Sequence, residues 1–417
     1  MLSVLRTTWP LLLGILLLMV GNGMQGTLLG IRGDIESIPT FEMSIVMSGY
    51  FGGFLLGSLL VPGLIQNVGH VRVFAALGSM ISAVLILFPV EPNWIAWTLL
   101  RVMIGFCFCG VYVTAESWLN AASTNENRGQ ALSAYMIVQM GGIVLAQALL
   151  NVADPAGFML FVIPSVLVSL AFTPILLSAN PAPQFETIKR MSFRDLYRAS
   201  PLGCVGVFLM GGVFAALAGM SPVWGTGIGM SVAEISLFVA TSYAGGLAMQ
   251  YPIGWISDRW DRRKLVLLLA GFGGAAGFAV MVMQPGIWGL IVVGAIMGGV
   301  ANPIYALLLA YTNDRLEPAD MASASAGLLF IYGLGSMTGP LITGWLMGVM
   351  GPDGFWFHMA VLLAALSGYA AWRTTQRAAP TSDEQGSFTI IAPSATPVAI
   401  EAAMDEAQTD TPPATET

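Results

Sequence analysis

Gly254-Trp255-Ile256-Ser257-Asp258-Arg259-Trp260-Asp261-Arg262-Arg263-Lys264 packs six charges into eleven residues of a chain in which only 9% of residues are charged. On either side lie apolar stretches, near 234–256 and 264–283, each about the ~20 residues that a helix needs to cross ~30 Å of hydrocarbon. A knot of charge between two such runs reads as a turn at a membrane surface. The same alternation recurs along the whole chain: apolar stretches fall near 9–30, 43–65, 71–89, 93–118, 129–150, 157–178, 202–224, 234–256, 264–283, 287–311, 321–349 and 355–374. Twelve spanning helices are expected. The first stretch runs about 22 residues, longer than the apolar core of a secretory signal, and no small-residue cleavage site follows it.

Composition agrees with that reading. Hydrophobic residues make up 56% of the 417, and mean hydropathy is +0.77, so too little polar surface remains to coat a water-soluble globule. Glycine, at 49 residues, suits helices that approach backbone to backbone in lipid. Cys107, Cys109 and Cys204 sit inside apolar runs with no spacing that suggests a metal site or a disulfide, and read as small apolar fillers.

The net charge of -7 belongs to one end of the chain. Residues 378–417 hold seven of the 23 acids and none of the 16 bases, which leaves 16 of each sign in the rest. Rich in Ala, Thr and Pro, the segment 377–417 is expected to be a disordered acidic tail. With the N-terminus in the cytoplasm, fourteen of the sixteen bases fall on that side, and only Arg32 and Arg101 do not. That bias predicts an inner-membrane protein with both termini cytoplasmic. Nothing in the pattern fits a nucleic-acid surface; the expected surroundings are a lipid bilayer and the expected state a monomer.

A polar segment, 179–200, separates two halves, 1–178 and 201–376, whose sequences repeat. Glu42 matches Glu234, Tyr50 matches Tyr243, Gly52-Gly53 matches Gly245-Gly246, and Gly142 matches Gly335, at offsets of 192 or 193 residues. The fold class is therefore an all-α membrane protein, with two pseudo-symmetric bundles of six helices.

The opening segment resembles the loop signature of the major facilitator superfamily, G-x-x-x-D-R-x-G-R-R, with Asp261 where glycine is usual. Its counterpart between spans 2 and 3, Gln66 to Arg72, keeps Gly69 and replaces the acid by Gln66. Arg101 followed by Gly105 resembles the family's R-x-x-x-G pattern in span 4, and Glu116-Ser117-Trp118-Leu119-Asn120 is similar to the YcaD-like branch of transporters. What the resemblance implies is a secondary transporter that moves a small solute by rocking its halves about a central site. It also implies that helices 1, 4, 7 and 10 line the cavity while 2, 5, 8 and 11 form the seam. Gly49, Gly53 and Gly57 in span 2, and Gly335 and Gly339 in span 11, are then expected at that seam. Gating is expected from Gly254, Asp258, Arg259 and Arg262, the last three as a latch that holds the halves closed on the cytoplasmic side, and from Glu116.

Polar groups inside the lipid span are costly unless they face protein or water, so they mark the solute site. They are Asn22 and Gln25 in span 1, Arg101 in span 4, and Asn302 with Tyr305 beside Pro303 in span 10. Arg101 has no carboxylate at comparable depth; Glu116, fifteen residues on, is ~22 Å away along the helix. Two readings stay open: an anionic solute completes an ion pair, or Arg101 makes a structural hydrogen bond to span 1. No cofactor is expected, and no G-x-x-x-x-G-K loop for a nucleotide occurs, which leaves an ion gradient or facilitated uniport; Glu116 is the one carboxylate to consider for a coupling proton, the alternative being a salt bridge to Arg72 or Arg128 at the membrane surface. His70 and His358 fall at opposite ends of the molecule, so a membrane enzyme is disfavoured. A non-transporting receptor or adaptor that uses the tail is the remaining rival.

Overall fold

The computed structural model describes residues 2–123, 128–176 and 191–376; the expected tail and residues 179–190 of the expected linker lie outside them. Regular structure among the described residues is helical throughout. The first half comprises α1 (Leu2–Ile35), α2 (Thr40–Val68), α3 (His70–Leu87), α4 (Trp94–Ala122), α5 (Arg128–Leu149) and α6 (Met159–Leu176). A short helix, Phe193–Ala199, precedes the second half: α7 (Pro201–Gly227), α8 (Val232–Ser257), α9 (Arg262–Met283), α10 (Ile287–Asn313), α11 (Pro318–Met350) and α12 (Asp353–Gln376). All but α6 are long and apolar enough to span a bilayer by length and composition, and α6 is apolar over its 18 described residues.

Helices are the form that satisfies every backbone group within one segment, which hydrocarbon demands. Their ends are set by local chemistry. Asn93 caps α4 by accepting from the Ile95 N–H at 2.8 Å. Ser231 and Glu234 close a reciprocal capping box on α8. Between α2 and α3 the chain turns through Gly69 at φ 85°, a left-handed conformation that glycine adopts without a Cβ clash. Asp261, at the matching turn before α9, has φ -59°, so no glycine is required there. Its side chain accepts from the Arg263 N–H at 3.0 Å and from the Arg263 guanidinium. Burial raises the Asp261 carboxyl, and these hydrogen bonds outweigh it, leaving the group below its ordinary value.

The packing repeats when six is added to each helix number. α1 lies against α5 and α6, α2 against α4, and α3 against α4 and α6; likewise α7 lies against α11 and α12, α8 against α10, and α9 against α10 and α12. The halves meet where α2 runs along α11, α5 along α8, and the end of α1 against Ser221–Gly227 of α7. We call the face carrying Leu2, Gln376 and the loop 257–262 the basic face, and the opposite one the far face.

The glycines do not lie where the seam was expected. A Cβ on Gly53 would stand 1.9 Å from the Val102 carbonyl oxygen, and one on Gly105 1.9 Å from that of Tyr50, both within the first half. In the second half a Cβ on Gly245 would likewise stand 2.1 Å from the Ala295 oxygen and one on Gly298 1.7 Å from that of Ser242. Gly335 and Gly339 face Phe208 and Gly212 of α7 rather than the first half. These glycines let helices pack backbone to backbone inside each bundle. At the seam the nearest atoms belong mostly to side chains, some at ordinary contact distance: a Cβ on Gly52 would lie 3.6 Å from Met337 Sδ and one on Gly219 3.4 Å from the Met47 Cβ.

Close approaches between halves reach toward the far face. Gly344 meets Ser44, Gly30 meets Pro222, and Ser48 Oγ donates to the Met337 carbonyl. On that face Arg32 is paired with Glu36 at 2.6 Å and donates to the Pro155 and Ala156 carbonyls, joining α1 to the loop before α6.

Candidate functional site

A cavity of about 140 Å³ lies between the halves, lined by α1, α2, α4 and α5 on one side and by α7, α8, α10 and α11 on the other. Among the described residues, Arg101 is the only charged side chain in its wall. It is 4% exposed, and its Nη1 donates to Gln25 Oε1 at 2.8 Å. Nη2 lies 3.5 Å from Met47 Sδ, the guanidinium sits 5.0 Å from the centre of the Tyr50 ring, and Nε has no hydrogen-bond partner among the described residues. Gln25 in turn donates to Asn22 Oδ1 at 3.2 Å, and Asn22 Nδ2 donates to the hydroxyls of Tyr112 and Tyr50 at 3.2 and 3.4 Å. One charge-assisted chain thus runs from α4 across α1 to α2 and back to α4. The glycines at 21, 23 and 26 make it possible: at Gly23 a side chain would strike Ala146, and Gly26, with open space beside it, leaves room in the cavity.

Across the cavity stands Asn302, 3% exposed, with Nδ2 donating to the Gly298 carbonyl at 3.2 Å and Oδ1 without a partner among the described residues. It fits because Gly246 has no side chain; a Cβ there would lie 2.2 Å from Asn302 Nδ2. Beside it α7 departs from α-helix for Ala216–Met220, a π-type turn that brings Ala218 and Gly219 into the wall. Such turns widen a helix locally and recur at functional positions.

Of the five residues expected at a solute site, Asn22, Gln25, Arg101 and Asn302 line this cavity. Tyr305 does not: it is wholly buried behind the wall, its ring 4.8 Å from that of Tyr332, which takes the lining position. Tyr305 stands about one turn beyond Asn302 on α10, where the Tyr332 ring lies against it. The expected cavity helices were 1, 4, 7 and 10, and the inner faces of α2, α5, α8 and α11 contribute as well, through Tyr50, Gln139, Gln147, Tyr243, Tyr332 and Ser336. Tyrosine is cheap to bury in an apolar helix, so its presence there gave no signal; the two glutamines of α5 were the available one.

The residues expected to gate sit apart from the cavity. Arg262, 2% exposed, holds both carboxylate oxygens of Asp314 through Nη1 at 2.6 and 2.7 Å, donates from Nε to Ser257 Oγ at 3.1 Å, and stands 3.6 Å from Asp258. Asp314, at the end of α10, is thus the nearer acid, and all of these contacts lie within the second half. Arg259 stacks 4.3 Å over Trp255 and donates to its carbonyl, and the Gly254 carbonyl accepts the Asp258 N–H at 3.1 Å. Glu116, 1% exposed, accepts from the Tyr135 hydroxyl at 3.0 Å, which joins α4 to α5.

Known proteins share both the sequence pattern and this architecture. An uncharacterized MFS-type transporter, YcaD, of Salmonella arizonae is 29% identical over 341 residues, covering 81% of this chain and 88% of its own. A second such protein, YE1530 of Yersinia enterocolitica, is 29% identical over 353 residues, covering 82% and 89%. Among solved structures, the nucleoside transporter NupG superposes with a TM-score of 0.70 at 14% identity, over 88% of this chain and 98% of that one. A bacterial homologue of the human lysosomal transporter Spinster, inward-facing and unoccupied, gives 0.67 at 13% identity over 98% of both. Likeness at such low identity concerns the fold alone. The model of the Major Facilitator Superfamily matches twice, over residues 11–231 and 202–403. With a duplicated six-helix bundle, a cavity walled from both sides and a family match that spans nearly the whole chain, this protein belongs to the Major Facilitator Superfamily.

Proposed function

We propose that the chain is a secondary active transporter that binds a small solute in the central cavity and carries it across the inner membrane by alternating access, driven by the proton gradient. The observation that supports it most directly is the division of the cavity wall between two bundles, each joined inside by glycine-to-backbone contacts and meeting the other mostly through side chains. Glycine-to-carbonyl contacts fix each half, whereas side-chain contacts at the seam can part, so rocking the halves changes which face the cavity meets. In the conformation described, the seam is closed toward the far face. With the bases counted as above, the basic face is the cytoplasmic one. Glu116, buried in α4 against Tyr135, is the carboxylate that takes the coupling proton.

Counterflow in proteoliposomes tests the carrier reading: saturable exchange of internal for external solute is expected, and conductance without exchange would replace a carrier by a pore. An imposed pH gradient should drive net accumulation in the wild type. In Glu116→Gln, exchange should persist while accumulation is lost; accumulation unchanged by the gradient in the wild type would make the protein a facilitative uniporter. Labelling of Asp34→Cys or Asp154→Cys by an impermeant thiol reagent added outside intact cells checks the orientation.

A further inference from the structure

We infer that the solute is an organic monoanion of about one ring's bulk, with its oxyanion on Arg101 and a hydrogen-bond donor at its other end on Asn302. This deepens the carrier reading above and rests on it.

A guanidinium carries five N–H donors, and at Arg101 the structure provides one oxygen acceptor, one thioether and one ring face, with Nε unpartnered among the described residues. Among those residues no carboxylate lines the cavity, and Arg101 has no ion-pair partner. A buried cation left in that state is costly, and an incoming oxyanion removes the cost by charge-assisted, bidentate hydrogen bonds. Because the wall has one positive charge and no negative one, a single negative charge neutralises it. A cationic solute meets repulsion there.

The rest of the wall sets the body and the far end. Seven aromatic side chains line the cavity, four of them tyrosines, so the ligand's body is apolar or aromatic and an inorganic anion would leave most of the surface unmatched. The cavity's 140 Å³ is close to the roughly 150 Å³ of a cavity that holds one benzene ring. On the opposite half, Asn302 Oδ1 is a buried acceptor without a donor among the described residues. A ligand with a hydroxyl or amide N–H at that end bridges the two halves, which is where a carrier needs its solute to act.

The test uses the full chain in lipid nanodiscs and four matched probes: 4-hydroxybenzoate, benzoate, benzamide and benzylamine. Calorimetry is expected to give 4-hydroxybenzoate tightest, then benzoate, with benzamide and benzylamine at least tenfold weaker. Arg101→Gln should erase the preference for the anions and Arg101→Lys should keep part of it. Asn302→Ala should remove the advantage of the hydroxyl while leaving benzoate affinity in place, which a merely misfolded variant would not do. Equal binding of the amide, an anion preference that survives Arg101→Gln, or no binding of either anion at millimolar concentration would each overturn the inference. The carrier reading is judged separately, from spin labels at Arg72→Cys and Trp260→Cys: two distance populations keep it, whatever the probes do, and a single fixed distance removes it.

Discussion

At the scale of single residues, two arginines show how environment divides one chemistry. Arg262 is buried with Asp314 in a bidentate pair, while Arg101 is buried with an amide. The first has its charge met by a carboxylate; among the described residues the second has no such partner. Asp314→Asn should therefore be the more damaging of two similar changes, because removing one partner of a buried pair costs roughly 3–5 kcal/mol. Asp258, 38% exposed and 3.6 Å from the same guanidinium, should cost no more than about 1 kcal/mol as Asp258→Asn. Thermal unfolding of both variants in the same detergent checks this, and equal losses would mean that Asp258 carries the pair. A latch across the halves makes a different prediction for Asp258→Asn, a shift in conformational balance with little loss of stability. Asp314 was invisible as a partner in the sequence, for it lies fifty-two positions from Arg262 and only the fold brings α9 to the end of α10.

Among the elements, α2 with α4 and α8 with α10 are the most tightly joined pairs, and a glycine against a carbonyl makes each contact. The periodic glycines were legible in the sequence; their partners were not. A stripe of small residues says that something comes close, and which helix does so depends on the order of packing around the bundle. Gly298→Ala would drive a Cβ to 1.7 Å from the Ser242 oxygen, which is backbone and cannot rotate away, so α10 must shift. Overpacking of this kind costs about 1–3 kcal/mol, and a Tm lowered by several degrees is expected. Gly368→Ala, with open space around it in α12, serves as the comparison and should be neutral or slightly stabilising through helix propensity, by at most about 1 kcal/mol. If both changes had the same effect, close backbone contact would not be what holds the pair.

For the whole molecule, the proposed alternating access requires the halves to part along the seam. Met47 in α2 and Gly219 in α7 face each other across that seam, between the cavity and the far face, with 3.4 Å between the Met47 Cβ and the place a Cβ would take at residue 219. That is close to the roughly 3.5–4.5 Å of a disulfide. Met47→Cys with Gly219→Cys should therefore cross-link on oxidation and stop transport, and a reductant should restore the activity of the reduced double variant. Transport that continues with the bond fully formed would show that the halves need not part there. Cys107, Cys109 and Cys204 are all buried, which keeps the background low.

The sequence by itself determined the solvent, the number of spans, the duplication and the side on which the bases gather, because each follows from periodicity and composition along one dimension. It also named four of the cavity's residues, since an amide or a guanidinium in a lipid span is too costly to be there without purpose. The tertiary structure alone decided that Asn302 rather than Tyr305 faces the cavity, that tyrosines of α2, α8 and α11 complete its wall, and that the glycine stripes bind helices within each half. Those are questions of rotation and neighbourhood. A hydrophobic helix presents the same apolar character on every side, so the direction in which a given side chain points is settled only when the other helices are packed around it.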